Sequence, residues 1–338
     1  MSTGCGACDG KVQPYREVQG HWFVACDDCG LLQIEPATMQ RIDAGEPVFE
    51  YADSYWSSEV IAARERAWGV GIARAAEVFL CARRPVQRFL DIGTGPGYFL
   101  DAISTLAPHL AGMVHGIELF PPSEEARSRH PNYRLGRLGD YPPNSFDAGL
   151  CMEVFEHLTP RMVQGLLAEL AKVFRTDACV MVNTGLAAFA REEDPGYLDP
   201  LGRGHITAWT LEAVNHLAKP LGLVASPLPG RSWCFLLEKT IAPALTLEAR
   251  LASVLPENRA ALAVPGTPSS ALAIMAEQSL WGSYHYDQFL SRTRWALSMS
   301  ALLEAARATP VLGSVTGAAT RRMSPRFKAR LRKILGLG

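Results

Sequence analysis

The stretch Phe89-Leu-Asp-Ile-Gly-Thr-Gly-Pro-Gly-Tyr-Phe-Leu100 decides the fold. A short apolar strand runs into Gly93, Gly95 and Gly97, and a helix-compatible sequence begins at once. Glycines let backbone approach a ligand closely, and the helix N-terminus behind them offers unpaired N–H groups and a partial positive charge. Nucleotide-binding turns and purely structural turns share this pattern, so two details matter. The spacing is G-x-G-x-G rather than the G-x-G-x-x-G of dinucleotide binding, which counts against an NAD-dependent oxidoreductase. Asp91 also precedes the first glycine, where its carboxylate can accept a hydrogen bond from a ligand ammonium group.

Outward from this turn, β-like runs alternate with helical ones. The runs fall at 88–92, 113–118, 148–152, 179–183, 223–226 and 233–238, with a weaker one at 133–135. Helices are expected over 58–80, with Ser57 or Ser58 as cap, and over 98–106, 161–174 and 210–217. That alternation predicts βαβ units, hence an α/β fold on a mostly parallel sheet. The last two runs are joined by Pro227-Leu-Pro-Gly-Arg231, so they should form an antiparallel hairpin. From 241 onward the pattern is helical, at 246–255 and 270–308, with Thr246 and Ser270 as caps.

Two strand ends carry acids. Val114-His-Gly-Ile-Glu118 ends in a carboxylate placed to accept ribose hydroxyls; a solvated strand-end acid is the plainer alternative. The run 145–158 leads through Cys151 and Met152 to Glu153, Glu156 and His157. Ligands of open α/β sheets bind at the C-terminal strand ends, the side these residues occupy.

In order and spacing, residues 50–240 resemble a class I S-adenosylmethionine (SAM)-dependent methyltransferase, a Rossmann-like sheet with one antiparallel strand. The resemblance implies that Asp91, Gly93, Thr94, Gly95 and Gly97 cradle the methionine end of SAM and that Glu118 binds its ribose. Met152 and Glu153 would border the same site, in Glu153-Val-Phe-Glu-His-Leu158, which is similar to a family segment. The segment Gly204-His-Ile-Thr-Ala-Trp-Thr210 is also family-like. The adenine-binding acid has no clean match: Asp140 is nearest, but Gly136-Arg137 stands at the usual place.

The first thirty residues hold Cys5, Cys8, Cys26 and Cys29, two C-x2-C pairs 17 residues apart. Four thiolates at this spacing read as a tetrahedral structural Zn²⁺ site with no open position for catalysis. The other four cysteines, Cys81, Cys151, Cys179 and Cys234, stand alone in apolar segments and read as core. Together with Pro36 and the aromatics Tyr51, Tyr55 and Trp56, the ribbon is similar to that of bacterial methyltransferases with an N-terminal zinc ribbon. That resemblance implies a sugar, polysaccharide or natural-product acceptor. The expected domains are a zinc ribbon at 1–36, the methyltransferase domain at 50–240 and a helical extension at 241–338.

Methyl transfer to a hydroxyl requires a proton acceptor, for which histidine suits neutral pH. His205 is the preferred base, and His157 is either catalytic or structural beside the SAM site. Tyr197, Trp209 and Trp233 are either an aromatic acceptor wall or core. The expected activity is therefore methylation of a sugar or related small molecule on oxygen. Alternatives are C- or N-methylation of a nucleotide-linked sugar, RNA methylation, or a scaffold that no longer turns over.

Composition narrows these readings. The 338 residues are 48% hydrophobic and 20% charged, enough to bury a large core, and 33 Lys and Arg against 34 Asp and Glu leave a net charge of −1. Near neutrality argues against a nucleic-acid partner. The N-terminus lacks the basic and apolar regions of a secretory signal, so a cytoplasmic location is expected. Residues 323–335 place Phe327, Leu331, Ile334 and Leu335 on one helical face among basic residues. Such a helix would either pack on its own protein or lie peripherally on an anionic membrane.

Overall fold

A computed structural model describes residues 4–50 and 53–308; Tyr51 and the expected basic helix at 323–335 lie outside the described residues. In chain order the strands are β1 Val12–Val18, β2 His21–Cys26, β3 Leu32–Ile34, β4 Phe89–Ile92, β5 Val114–Glu118, β6 Tyr133–Leu135, β7 Phe146–Met152, β8 Phe174–Asn183, β9 Thr207–Ala208, β10 Leu223–Pro227 and β11 Cys234–Lys239. The helices are α1 Pro36–Asp43, α2 Asp53–Arg66, α3 Ile72–Cys81, α4 Tyr98–Leu106, α5 Pro160–Val173, α6 Ala187–Glu192, α7 Leu211–Ala218, α8 Leu247–Ala252, α9 Pro256–Leu262 and α10 Leu272–Ala308.

Seven strands form one sheet in the order β10-β11-β8-β7-β4-β5-β6. β7, β4, β5, β6 and β8 pair in parallel, while β11 runs antiparallel to both β8 and β10. This is the Rossmann-like, mostly parallel sheet with one reversed strand that the resemblance implies. The order turns back between β4 and β7, which opens a crevice at their C-terminal ends. Helix α4 covers the 98–106 stretch expected from the sequence. The expected helix at 58–80 is instead α2 and α3 joined by a π-helical turn at Ala67–Gly71, and Ser57 and Ser58 fall inside α2 rather than at its cap. Thr246 does cap α8, accepting from Ala249 N, whereas Ser270 lies within a 3₁₀ turn ahead of α10.

One side of the sheet packs Phe89 against Phe79 of α3 and Phe99 of α4, with ring centroids 5.9 and 6.1 Å apart. Each such buried ring contributes about 1.5–3 kcal/mol. Two buried acids on this side are ion-paired. Glu77 in α3 accepts from Arg231 at 2.7 and 2.8 Å, and Glu238 in β11 accepts from Arg250 Nη1 of α8 at 2.9 Å. Leu247, Leu262, Ala273 and Leu280 enter the same core, so the segment after 240 packs on α3 as part of the domain up to Tyr284. From His285 the chain forms a second unit, helical as far as Ala308, with Phe289, Trp295 and Leu302 exposed.

The N-terminal strands are less independent than the sequence suggests. Their sheet runs β1-β2-β3-β9, and its fourth strand comes from residues 207–208. Cys5, Cys26, Cys29 and Leu31 share one hydrophobic cluster with Phe155, Trp209 and the β7–β8 face. A Cβ at Gly6 would stand 2.8 Å from Pro160 of α5, so the knuckle seats directly on that helix.

Candidate active site

A cavity of about 880 Å³ opens at the C-terminal ends of β4, β5 and β7. This is the large end of the range for small-molecule sites, with room for a cofactor and an acceptor together. Asp91, Gly93, Thr94, Gly95, Glu118, Met152, Glu153 and His157 all line it. Gly97 stands one step behind as the left-handed N-cap of α4, φ +82°, where a Cβ would meet Tyr133 at 2.6 Å. Only glycine fits there.

The turn is rigid. Gly93 N and Thr94 N both donate to Ile117 O of β5, and Tyr133 Oη donates to Gly95 O at 2.9 Å. Glu118 accepts from Gly95 N at 2.7 Å through Oε2, and from Leu119 N and Phe120 N at 2.8 Å through Oε1. A carboxylate has about four lone-pair directions, so about one is left for a ribose hydroxyl. Asp91 accepts from Thr94 Oγ1 at 2.6 Å, yet burial pushes its carboxyl up to about 7, against the Thr94 bond and helped by the charge of Glu118. A buried acid of this kind matches a cationic ammonium. Phe120, Gly136, Arg137 and Leu138 form the wall beyond Glu118. Asp140 is not among the lining residues and spends its carboxylate on Arg137 N at 2.7 Å. The residues present therefore fit SAM, with backbone and apolar groups on the adenine side.

The far wall is built from Phe49, Tyr55, Trp56, Glu153, His157, Gly204 and Ile206. Tyr197, Trp209 and Trp233 do not line the cavity. Tyr197 and Trp209 are core, Trp209 Nε1 donating to Phe155 O at 3.0 Å, and Trp233 stacks under Arg74 at 4.2 Å. Aromatics near residue 50 take the place expected for them. Glu153 sits at φ +54°, an uncommon conformation for a side-chain-bearing residue, with its carboxylate accepting from Asn183 Nδ2 at 2.9 Å.

The two histidines lie together, ring centroids 4.9 Å apart, because Ile206 N donates to Glu156 O and clips the 204–207 strap to the 153–158 turn. They are not equivalent. His157 lines the cavity, whereas His205 is 5% exposed behind it and is absent from the lining. Burial depresses His157 to about 3, with the neighbouring His205 adding to the effect, and burial brings His205 to about 4. Both rings are neutral near pH 7. Glu156 is fully buried, and burial together with Glu153 pushes its carboxyl well above the usual range.

The four N-terminal cysteines also converge, with Cys5 Sγ 3.6 Å from Cys29 Sγ and Cys8 Sγ 3.5 Å from Cys26 Sγ. Thiolates on one zinc ion at about 2.3 Å stand about 3.8 Å apart. Ala7 N and Cys29 N donate to Cys5 and Cys26 sulfur, each at 3.4 Å. The hydrogen bond from Cys29 holds Cys5 down to about 5 and pushes Cys29 up, while burial raises Cys8 to about 11. This donor set fits a tetrahedral thiophilic metal.

Residues 60–226 match the model of a family described as a methyltransferase domain. Its matched span covers β4 to β10 and so contains the glycine turn and both strand-end acids. Over that segment the chain is similar to the methyltransferase-domain family, and with the site just described it carries a SAM-dependent methyltransferase domain on a Rossmann-like sheet. No curated protein matches the chain. Among solved structures it is similar to a SAM-bound amino pentose methyltransferase of Micromonospora echinaspora, at 21% identity over 56% of this chain and 98% of that one, TM-score 0.42. It is also similar to DesVI of Streptomyces venezuelae, at 17% identity over 56% and 99%, TM-score 0.40. A third is the 1,6-didemethyltoxoflavin N1-methyltransferase of Burkholderia thailandensis, at 19% identity over 67% and 96%, TM-score 0.39.

Proposed function

We propose that the enzyme methylates a hydroxyl of a sugar or related small molecule. The observation that carries this is the far wall of the cavity, where Phe49, Tyr55 and Trp56 face a polar corner made by Glu153 and His157. Aromatic faces suit the apolar side of a sugar ring, and the polar corner suits its hydroxyls. SAM supplies a methyl carbon on a sulfonium; transfer forms an O–CH3 bond, breaks S–CH3 and leaves the electron pair on sulfur. The chain holds the acceptor oxygen close to that carbon, about 3–3.5 Å in a reactive arrangement, and takes up the hydroxyl proton at the Glu153–His157 corner. His205 supports the His157 ring from behind and is a positioning residue in this reading.

Incubation with labelled SAM and a panel of sugars, sugar nucleotides, amines and RNA tests the proposal. Label on a sugar oxygen supports it; label only on nitrogen, carbon or RNA replaces it. His157→Ala should lower turnover by about 10²–10⁴ with SAM affinity little changed.

In the same reading Cys5, Cys8, Cys26 and Cys29 hold a structural Zn²⁺, supported by their spacing and convergence. Among the described residues no helix is long and apolar enough to cross a membrane. A cytoplasmic enzyme with peripheral contact through 323–335 rests on the sequence pattern. Liposome co-sedimentation with and without residues 325–338, at low and high salt, tests it.

A further inference from the structure

Three ligand-capable side chains meet just behind the acceptor end of the cavity, where His157 alone of the three lines it. One ring nitrogen each of His157 and His205 and a carboxylate oxygen of Glu156 all lie within 4.8 Å of one another. His205 is anchored through Nδ1, which donates to Tyr197 O at 2.8 Å, and His157 through Nδ1 to Gly204 O at 3.2 Å. Donation from Nδ1 puts the lone pair of a neutral imidazole on Nε2 and fixes the ring, an arrangement typical of metal-binding histidines. Glu156 is fully buried. Its Oε2 accepts from Thr184 Oγ1 at 2.8 Å, but its Oε1 has no hydrogen-bond partner. A buried carboxylate oxygen with nothing to accept, beside a second carboxylate in Glu153 and two neutral imidazoles, is a place that lacks a positive charge.

We infer that Glu156, His157 and His205 form a divalent-metal site, and that the acceptor is a compound with two adjacent oxygens, such as a vicinal diol, that chelates the ion. Ligands about 2.1 Å from one ion stand at most about 4.2 Å apart, so small side-chain rotations complete the set. Two histidines and one carboxylate leave coordination positions open, and the cavity-lining ring of His157 puts them on the acceptor side. The set differs in kind from the cysteine cluster: nitrogen and oxygen donors suit Mn²⁺, Fe²⁺, Co²⁺ or Zn²⁺, and the open positions allow catalysis. A cation there lowers the pKa of a ligating hydroxyl, so its proton can pass to the Glu153 carboxylate. The oxygen then forms its bond to the methyl carbon as S–CH3 breaks, with the electron pair remaining on sulfur. This inference rests on the methyl-transfer reading for its chemistry but not for its metal.

The test titrates the full chain, its cysteine site loaded with zinc, with Co²⁺ and records visible absorption and bound metal. We expect one equivalent of Co²⁺ with ligand-field bands and no sulfur-to-metal charge transfer. Glu156→Gln and His157→Asn should each weaken that uptake at least tenfold while SAM affinity holds, which shows the variants are folded. In the unmodified protein, Co²⁺ should also shift or broaden the ring signals of two of the eight histidines, a readout that needs no variant. The inference is overturned by no uptake, by uptake showing only sulfur charge transfer, or by sulfur-free uptake unchanged in both folded variants. Methyl transfer in metal-free His157 sites removes the cation and leaves the methyltransferase reading. A bound cation in a protein inactive on every hydroxyl acceptor does the reverse.

Discussion

Gly95 N donates to Glu118 Oε2 across 2.7 Å, tying the turn after β4 to the acid that ends β5. Two motifs 23 residues apart in sequence are thus one device. The acid shapes the turn and also borders the subsite proposed for the ribose. Replacing it should therefore affect SAM binding twice, by removing an acceptor and by releasing the Gly95 backbone. One hydrogen bond to a charged group contributes about 1.5–3 kcal/mol, so Glu118→Ala should weaken SAM at least tenfold. Calorimetric titration checks this, and unchanged affinity in a folded variant removes Glu118 from the site.

Asp91 gives the pH dependence. Its carboxyl, pushed up to about 7 by burial, titrates far above the roughly 3.9 of an unfolded chain. Its contribution to stability is thus fully present below about 3.9 and is lost as pH rises through about 7. Binding an ammonium group favours the ionised form, so the sign for SAM is opposite. Affinity should fall as pH drops below about 7, by up to about tenfold per unit, with release of a proton on binding. Titrations in buffers of differing ionisation enthalpy read that proton. Asp91→Asn should flatten the profile, and a flat profile in the unmodified protein would sink the assignment.

The sequence made the sheet readable because most runs from 88 to 238 have a glycine or proline close to at least one end. Helix 98–106 and strand 133–135 fall where periodicity puts them. The reversed strand β11 follows from a loop too short for a crossover. Legibility ends where tertiary contacts decide. Strand β9 is two residues long and has no period of its own; β3 makes it a strand. Charged residues are seldom fully buried, yet Glu77, Arg231, Glu238 and Arg250 are buried because they neutralise one another. At the site, sequence brought the Gly204–Ile206 segment to the acceptor side but not its facing. Gly204 and Ile206 line the cavity while His205 does not. The Glu156–His157–His205 cluster spans nearly fifty residues, and tertiary bonds such as those from Ile206 N to Glu156 O and from His157 Nδ1 to Gly204 O bring it together.

Zinc should matter beyond the N-terminus. Cys26 and Cys29 belong to the cluster that contains Phe155 and Trp209, and Thr210 Oγ1 donates to Cys29 O. Cys26→Ser should remove the metal and destabilise the domain by more than about 4 kcal/mol, the range in which loss of a structural metal falls. Scanning calorimetry with metal analysis should show one transition shifted downward. A separate early transition, with the main one unmoved, would mean the ribbon unfolds alone.

Glu153 offers the last test, because its backbone and its carboxylate make opposite demands. At φ +54° the residue occupies the left-handed region, which costs an L-residue about 1–2 kcal/mol. Glycine relieves that strain but loses about 0.5–1 kcal/mol of conformational entropy on folding, so the two effects nearly cancel. Glu153→Gly also removes the charge that opposes ionisation of buried Glu156. Stability should therefore stay within about 1 kcal/mol of the parent. Activity should not: in the proposed reaction the cavity loses the carboxylate that receives the acceptor proton, and turnover should drop by about 10²–10⁴. Urea denaturation and steady-state kinetics on the same preparation separate the two effects. A variant that is fully active shows that Glu153 is scaffold; one that unfolds early shows that its carboxylate, held by Asn183, stabilises the turn more than the strained backbone costs.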